Sequence, residues 1–214
     1  MSTESIMYVT SSRFKQDEAN ELLRHAVFPA DGVHVGTVFS FAFKNVRIEE
    51  PLEVDLTKLV RGEVREAYRK LLVPCIVEHA GLIFEDYVGP GYPGGLTKPM
   101  WDTLGASFLT ETNSGQRRAR ARAVVAYCDG MTIETFHGET PGTLSEEPRG
   151  EKKFYWDTIF IPDSPPDHDC RGLTYAEIVD RFGLPRKLEF SQSSKALLAF
   201  LSHRRAVGRP KLWG

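Results

Sequence analysis

The chain has 214 residues, 41% hydrophobic and 26% charged, which is enough apolar material for a packed core and too little net charge for a disordered chain. A formal net charge of −2 excludes a general binder of phosphate backbones but leaves room for a small basic pocket. No stretch approaches the roughly 18 apolar residues of a membrane span, and the N-terminus lacks the pattern of a secretory leader. Cys75, Cys128 and Cys170 are too dispersed for a zinc site and read as buried thiols of a cytoplasmic protein.

IMYVT, 6–10, predicts a short strand, and FKQDEANELLRH after Ser11 and Ser12 has helical spacing. A strand, a polar turn and a helix expose helix N-terminal amides to an anion, although the same hydroxyls serve equally as caps. Residues 33–43 read as extended and 46–50 as a half-exposed strand end. DLTKLVRGEVREAYRKLL, 55–72, is the best amphipathic helix of the chain, with Asp55 as its cap and Pro74 as its stop. A buried strand is expected at 75–77, with Glu78 and His79 at its end.

The Gly/Pro-rich stretch 89–99 reads as a shaped loop, 99–109 as a helix and 112–118 as a surface turn. Residues 121–130 and 131–138 form a β-ribbon, followed by a connection over 139–150. FYWDTIFIP, 154–162, is a strand by composition. A loop at 164–172, a short helix or turn from Leu173, and an amphipathic helix over 193–206 follow. The expected fold is α/β: a mixed sheet with two lobes and a central cleft, a single domain over 1–206 and a tail over 207–214 packed through Trp213.

Four polar clusters sit at segment ends or in glycine-rich loops: Ser11/Ser12/Lys15, Glu50/Glu53, Glu78/His79, and Arg149 with Trp156/Asp157. Lys15 at a helix start forgoes a favourable dipole, which makes sense if an anion binds there; otherwise it is a solvated lysine. Glu50 and Glu78 are either edge acids or a hard oxygen site for Mg²⁺ completed by phosphate oxygens. His79 is either a base working near neutral pH or a structural histidine. Tyr155 and Trp156 either stack on a purine or belong to the core, and Asp157 in that apolar run needs a partner.

The order of these clusters resembles the inosine triphosphate pyrophosphatase family over about residues 6–201. VTSSRFK resembles its T-G-N-x-x-K phosphate motif, with Thr10, Ser12 and Lys15 on the Thr, Asn and Lys. VEHAGL resembles its (V/A)-(E/D)-D-(S/T)-x-L motif, and YPGGLTK, ending at Lys98, resembles the loop after it. HGETPGTLSEEPRGEKKFYWDTIFIPD and LTYAEI are similar to its later motifs.

The resemblance implies dimers of two-lobed subunits that use Mg²⁺ to split inosine-, deoxyinosine- or xanthosine-type triphosphates into monophosphate and pyrophosphate. It gives Thr10, Ser12, Lys15, Lys98, Arg149, Trp156, Asp157 and Lys187 to nucleotide binding, with Lys15 also catalytic. It gives Glu50 (or Glu53) and Glu78 to the metal. His79 stands where the family has its key aspartate, Ser191-Gln192-Ser193 where it has Ser-His-Arg, and Thr158 where it has a proline. The Ser-His-Arg at 202–204 reads as a helix-end basic cluster.

These departures lead to an expectation of nucleotide binding with weak or lost hydrolysis, in a chain that signals to an effector protein. Bacterial antiviral defence is a setting suited to such a sensor. Two other readings stand beside it. One is an active pyrophosphatase with His79 as base, where Mn²⁺ substitutes well because imidazole suits transition metals. The other is a scaffold without nucleotide binding.

Overall fold

The computed structural model describes residues 3–111, 117–151, 154–163 and 168–208. The surface turn expected at 112–118 and the tail with Trp213 lie largely outside them.

The strands are β1 (Glu4–Val9), β2 (Phe39–Lys44), β3 (Cys75–Phe84), β4 (Arg118–Cys128), β5 (Ile133–Leu144) and β6 (Phe160–Pro162). They form one six-stranded mixed sheet in the order β2-β1-β3-β4-β5-β6. β1 runs parallel to β2 and β3, and the remaining pairs are antiparallel. The helices are α1 (Arg13–His25), α2 (Val35–Val38), α3 (Leu56–Leu71), α4 (Thr97–Glu111), α5 (Tyr175–Phe182), α6 (Leu184–Leu188) and α7 (Gln192–Val207). This is the mixed α/β sheet expected.

Both faces of the sheet are covered. On one, Tyr8, Ile76, Val125 and Tyr127 pack against Leu22 of α1 and Leu197, Phe200 and Leu201 of α7. On the other, Val9, Val77, Val124 and Ala126 meet Leu56, Val60, Val64 and Ala67 of α3. A third cluster around Trp156, Phe160, Tyr175 and Ile178 closes the ribbon end. The amphipathic pattern of α3 is realised in full, with the Asp55 carboxylate accepting from the amides of Thr57 and Lys58.

Several segments differ from expectation. Residues 33–43 contain the α2 turn, with buried Val35, before β2 begins. Residues 46–50 form no strand; Val46 and Ile48 instead pack against the α3 cluster. β3 runs on to Phe84, so Glu78 and His79 stand in mid-strand, paired in register with Val125 and Val124. The 89–99 segment contains a 3-10 turn at Gly94–Leu96, and α4 starts before Pro99. β5 continues through 139–144 despite Pro141 and Gly142. In 154–162 the aromatic residues form a 3-10 turn at Tyr155–Thr158, and only Phe160–Pro162 is strand.

Glycine sets how closely α7 approaches the ribbon. A Cβ on Gly138 would lie 1.9 Å from the Gln192 carbonyl oxygen and 2.6 Å from the Ala196 nitrogen. Gly138→Ala is therefore expected to destabilise the fold by about 1–3 kcal/mol through overpacking. Gly62→Ala in α3, where a Cβ meets nothing within 4 Å, is expected to stabilise by about 0.5–1 kcal/mol. Urea midpoints of the two variants check both; equal shifts would contradict the packing described.

Candidate functional site

A cleft of about 560 Å³ lies beside the sheet where β1 gives way to α1. β1 pairs with β3 only through Met7–Cys75 and Tyr8–Ile76. Beyond Val77 the β1 side of β3 has no strand neighbour, and the polar residues of β3 face the cleft there. Thr10, Ser12 and Lys15 line one wall, Glu78 and His79 another, and Glu50 with Lys98 the rim. Trp156 completes the set of expected site residues brought together here, beside Phe154 and Tyr155.

The turn at 10–12 is organised by its own hydroxyls. The Thr10 hydroxyl accepts from the Ser12 amide at 3.1 Å, and Ser12 caps α1 by accepting from the Lys15 amide at 3.4 Å. Capping is thus the ground-state role of Ser12. Lys15, expected either beside an anion or in solvent, turns instead to Glu78. Its Nζ lies 2.9 Å from Glu78 Oε2 and donates to the Glu78 carbonyl at 2.5 Å, the carbonyl that no strand neighbour claims.

Tyr8 donates to the same Oε2 at 3.2 Å, and Ser193 of α7 donates to Oε1 at 3.1 Å. Burial opposes the charge on both partners, yet their mutual attraction wins. The Glu78 pKa is held below its ordinary value and that of Lys15 above its own.

His79 does not stand alone. Its Nδ1 lies 3.3 Å from Oε1 of Glu63, an α3 residue that sequence reasoning missed. Glu63 is buried and lines the cleft, and its Oε1 makes no hydrogen bond. Its signal was an acid on the buried stripe Leu59–Glu63–Ala67, spaced at i, i+4 and i+8. Arg47, also missed, is exposed at the cleft wall and has no ion pair among the described residues.

Glu50 faces Lys98 at 3.7 Å, both half-exposed. Glu53 is absent from the cleft lining and accepts from the Asp55 amide at 3.0 Å. Among the described residues, no three His, Cys, Asp or Glu side chains are grouped to hold a metal ion.

Among the expected site residues, Arg149, Asp157 and Lys187 are outside the cleft lining, and Trp156, which lines it, is largely covered. Trp156 is 2% exposed and makes edge contacts with Phe154 and Phe160, so half-buried Phe154 and Tyr155 are the more accessible rings. Asp157 and Lys187 are absent from the cleft lining. Lys187, 1% exposed, has its Nζ 2.6 Å from Asp157 Oδ2 and 2.9 Å from Glu18 Oε1. That ammonium also lies 4.6 Å from the centre of the Phe14 ring, which stacks on Phe154 at 4.7 Å. Asp157 thus has the partner its apolar surroundings demand, and Glu18 was a second unnoticed acid on an apolar stripe.

Arg149 donates to the Gly172 carbonyl at 2.6 Å and pairs with Glu177, bracing the start of α5. Ser191 caps α7, Gln192 accepts from Tyr175, and the Ser-His-Arg at 202–204 lies in the last turns of α7.

Burial is the main cause that raises the pKa values of Glu18 and Asp157, with Lys187 pulling the other way. Lys187→Met leaves two buried acids unpaired and is expected to cost about 3–5 kcal/mol near neutral pH. Their folded-state pKa values then rise further, so the folded state binds protons more readily than the unfolded one. The penalty shrinks as pH falls through that raised range. Urea unfolding at about pH 7 and about pH 5 checks this; a loss that is the same at both would contradict the pairing.

The Ham1 family model matches residues 6–203. A dITP/XTP pyrophosphatase of Methanopyrus kandleri is 30% identical over 200 residues, covering 91% of this chain and 93% of that protein. The inosine triphosphate pyrophosphatase 2 of Trypanosoma cruzi is 34% identical over 165 residues, covering 75% and 79%. A solved HAM1 protein from Coxiella burnetii superposes with a TM-score of 0.68 at 20% identity, covering 95% of this chain and all of that one, and supports the fold. The chain belongs to the Ham1 family.

Proposed function

We infer that the cleft binds a purine nucleoside triphosphate of the inosine, deoxyinosine or xanthosine type and turns it over slowly or not at all. The observation that carries this reading is the convergence of Lys15, Arg47 and Lys98 with the hydroxyl-lined turn at 10–12 on one cleft. Relatives named dITP/XTP and inosine triphosphate pyrophosphatases supply the substrate class. The triphosphate lies along the turn and its cations, with the base toward Phe154 and Tyr155.

The state of the acids supports weak hydrolysis. Glu78 is committed to Lys15, Tyr8 and Ser193, and its neighbour is an imidazole rather than a carboxylate. A pocket that holds its ligand without consuming it suits a sensor acting on an effector protein, and a homodimer is the assembly this reading favours. No described helix is long and apolar enough to cross a membrane.

A divalent ion fits this cleft only with help from the ligand. Glu50 and Glu78 would supply one carboxylate each, and phosphate oxygens and water the rest, as is usual for Mg²⁺. Bound there, the ion would neutralise charge on the phosphates. Lys15 and Arg47 would orient the phosphates, and Ser193 and Tyr8 would hold the Glu78 carboxylate in place.

A second reading, an active pyrophosphatase, is favoured by the Glu63–His79 pair. The Glu63 carboxylate lies 3.3 Å from Nδ1, near enough to become the acceptor that would orient an imidazole base, although it makes no hydrogen bond here.

Calorimetry with ITP, dITP, XTP, ATP and GTP, in Mg²⁺ or Mn²⁺, combined with product analysis of the same samples, separates the readings. Binding of the first three without product is expected, with Lys15→Ala weakening it about tenfold or more through loss of a charged contact. Rapid pyrophosphate release that His79→Ala abolishes would instead establish the enzyme, and absence of binding by the whole panel would leave a scaffold. His79→Asp is expected to gain turnover if the imidazole is what limits it.

A further inference from the structure

A groove of about 480 Å³ lies between α3 and the turn that joins β4 to β5, and it shares no lining residue with the cleft. Gly130 keeps that turn close to α3. It has a φ of 95°, and a Cβ there would lie 2.3 Å from the Tyr68 hydroxyl. Tyr68 and Ile133 give the groove apolar lining, and Met131 lines it while 88% exposed. Arg61, Arg65 and Arg69 line its α3 side.

The three arginines recur at i, i+4 and i+8, so they share one face of α3 and follow one another about 6 Å apart along its axis. Like charges at this spacing oppose helix formation unless anions meet them. Arg61 donates from Nη1 to the Ile133 carbonyl at 2.9 Å. Arg65 and Arg69 are exposed and make no hydrogen bond or ion pair among the described residues. The acids next to these residues in sequence are engaged elsewhere. Glu63 lines the cleft, and Glu66 pairs with Lys70 at 2.6 Å. Asp129 accepts from the Met131 and Thr132 amides of its own turn, and Glu134 lies 3.3 Å from His203. The groove is therefore cationic within a chain of net charge −2.

We propose that this groove docks an acidic helix of a partner protein, its carboxylates meeting Arg65 and Arg69 and an apolar side chain resting on Tyr68, Met131 and Ile133. Glutamates on every fourth residue of a helix repeat at the same spacing of about 6 Å. The guanidinium fork matches a carboxylate in shape as well as in charge. Apolar lining and an adaptable methionine suit a protein surface. The net charge of −2 disfavours a long polyanion such as a nucleic acid. The docking does not depend on nucleotide binding in the cleft.

A hydrocarbon-stapled alanine helix with glutamate at every fourth position and leucine before each glutamate, titrated into ¹⁵N-labelled full-length protein, tests the assignment. Its counterpart with glutamine in place of glutamate and a single-stranded oligothymidylate of equal charge are titrated separately. The glutamate peptide is expected to give saturable shifts in residues 61–69 and 128–133, to leave residues 10–15 unmoved, and to bind more tightly than either control. Replacing both exposed arginines, Arg65→Gln with Arg69→Gln, is expected to weaken it about three- to tenfold, the loss of two surface ion pairs. Raised salt is expected to weaken it as well. Failure of the glutamate peptide to bind, equal binding of the glutamine peptide, or undiminished binding to the double variant would each overturn the proposal. Tighter binding of the oligothymidylate would overturn it too, by giving the groove to nucleic acid.

Discussion

The pairing of Lys15 with Glu78 is the contact on which the candidate site depends. It joins the first turn of α1 to the middle of β3, 63 positions apart in sequence, at the point where β1 ends and β3 continues. Tyr8 and Ser193 add β1 and α7 to the same carboxylate. A buried ion pair is weak evidence of stability, because desolvation offsets the attraction. Its consequence here is placement. The ammonium suited to a phosphate and the carboxylate suited to a cation neutralise each other across the cleft. The pair thus holds the turn before α1 against the middle of β3 at the wall of the cleft.

Behind the cleft a second set of charges performs a different task. Lys187 is closed in by Glu18, Asp157 and the rings of Phe14 and Tyr175. This cluster fastens α1 and α6 to the aromatic turn at Tyr155–Thr158, and so fixes the Phe14–Phe154 stack beside the cleft. The two groups of charged residues are thus separated by role. One lines the cleft; the other holds the wall behind it.

Much of this was legible in the chain. The spacing of Leu56, Leu59, Val60 and Val64 specified α3 almost to the residue, because a helix half covered by a sheet needs that stripe. The polar turn before α1 was equally plain. Element ends were less so. The apolar run after His79 contains Gly81, which looks like a break, yet β3 passes through it because Gly94 and Thr97 approach too closely for a Cβ. Pro141 and Gly142 disguised the continuation of β5. The aromatic residues at 154–156 look like a strand but form a tight turn, since tertiary packing around Trp156 overrides their β propensity. Glu18 and Glu63 were hidden for a common reason: acids are normally solvated, and only their position on apolar stripes marked them as buried.

The central claim is that the cleft at Lys15 and Glu78 is where the triphosphate lies. A crystal structure of the protein with a dITP analogue whose α,β-bridging oxygen is replaced by nitrogen tests it most directly. Phosphate oxygens within hydrogen-bonding distance of Lys15 Nζ, with the base against Phe154 or Tyr155, are the predicted result. A nucleotide bound elsewhere, with the Lys15–Glu78 contact undisturbed, would contradict it.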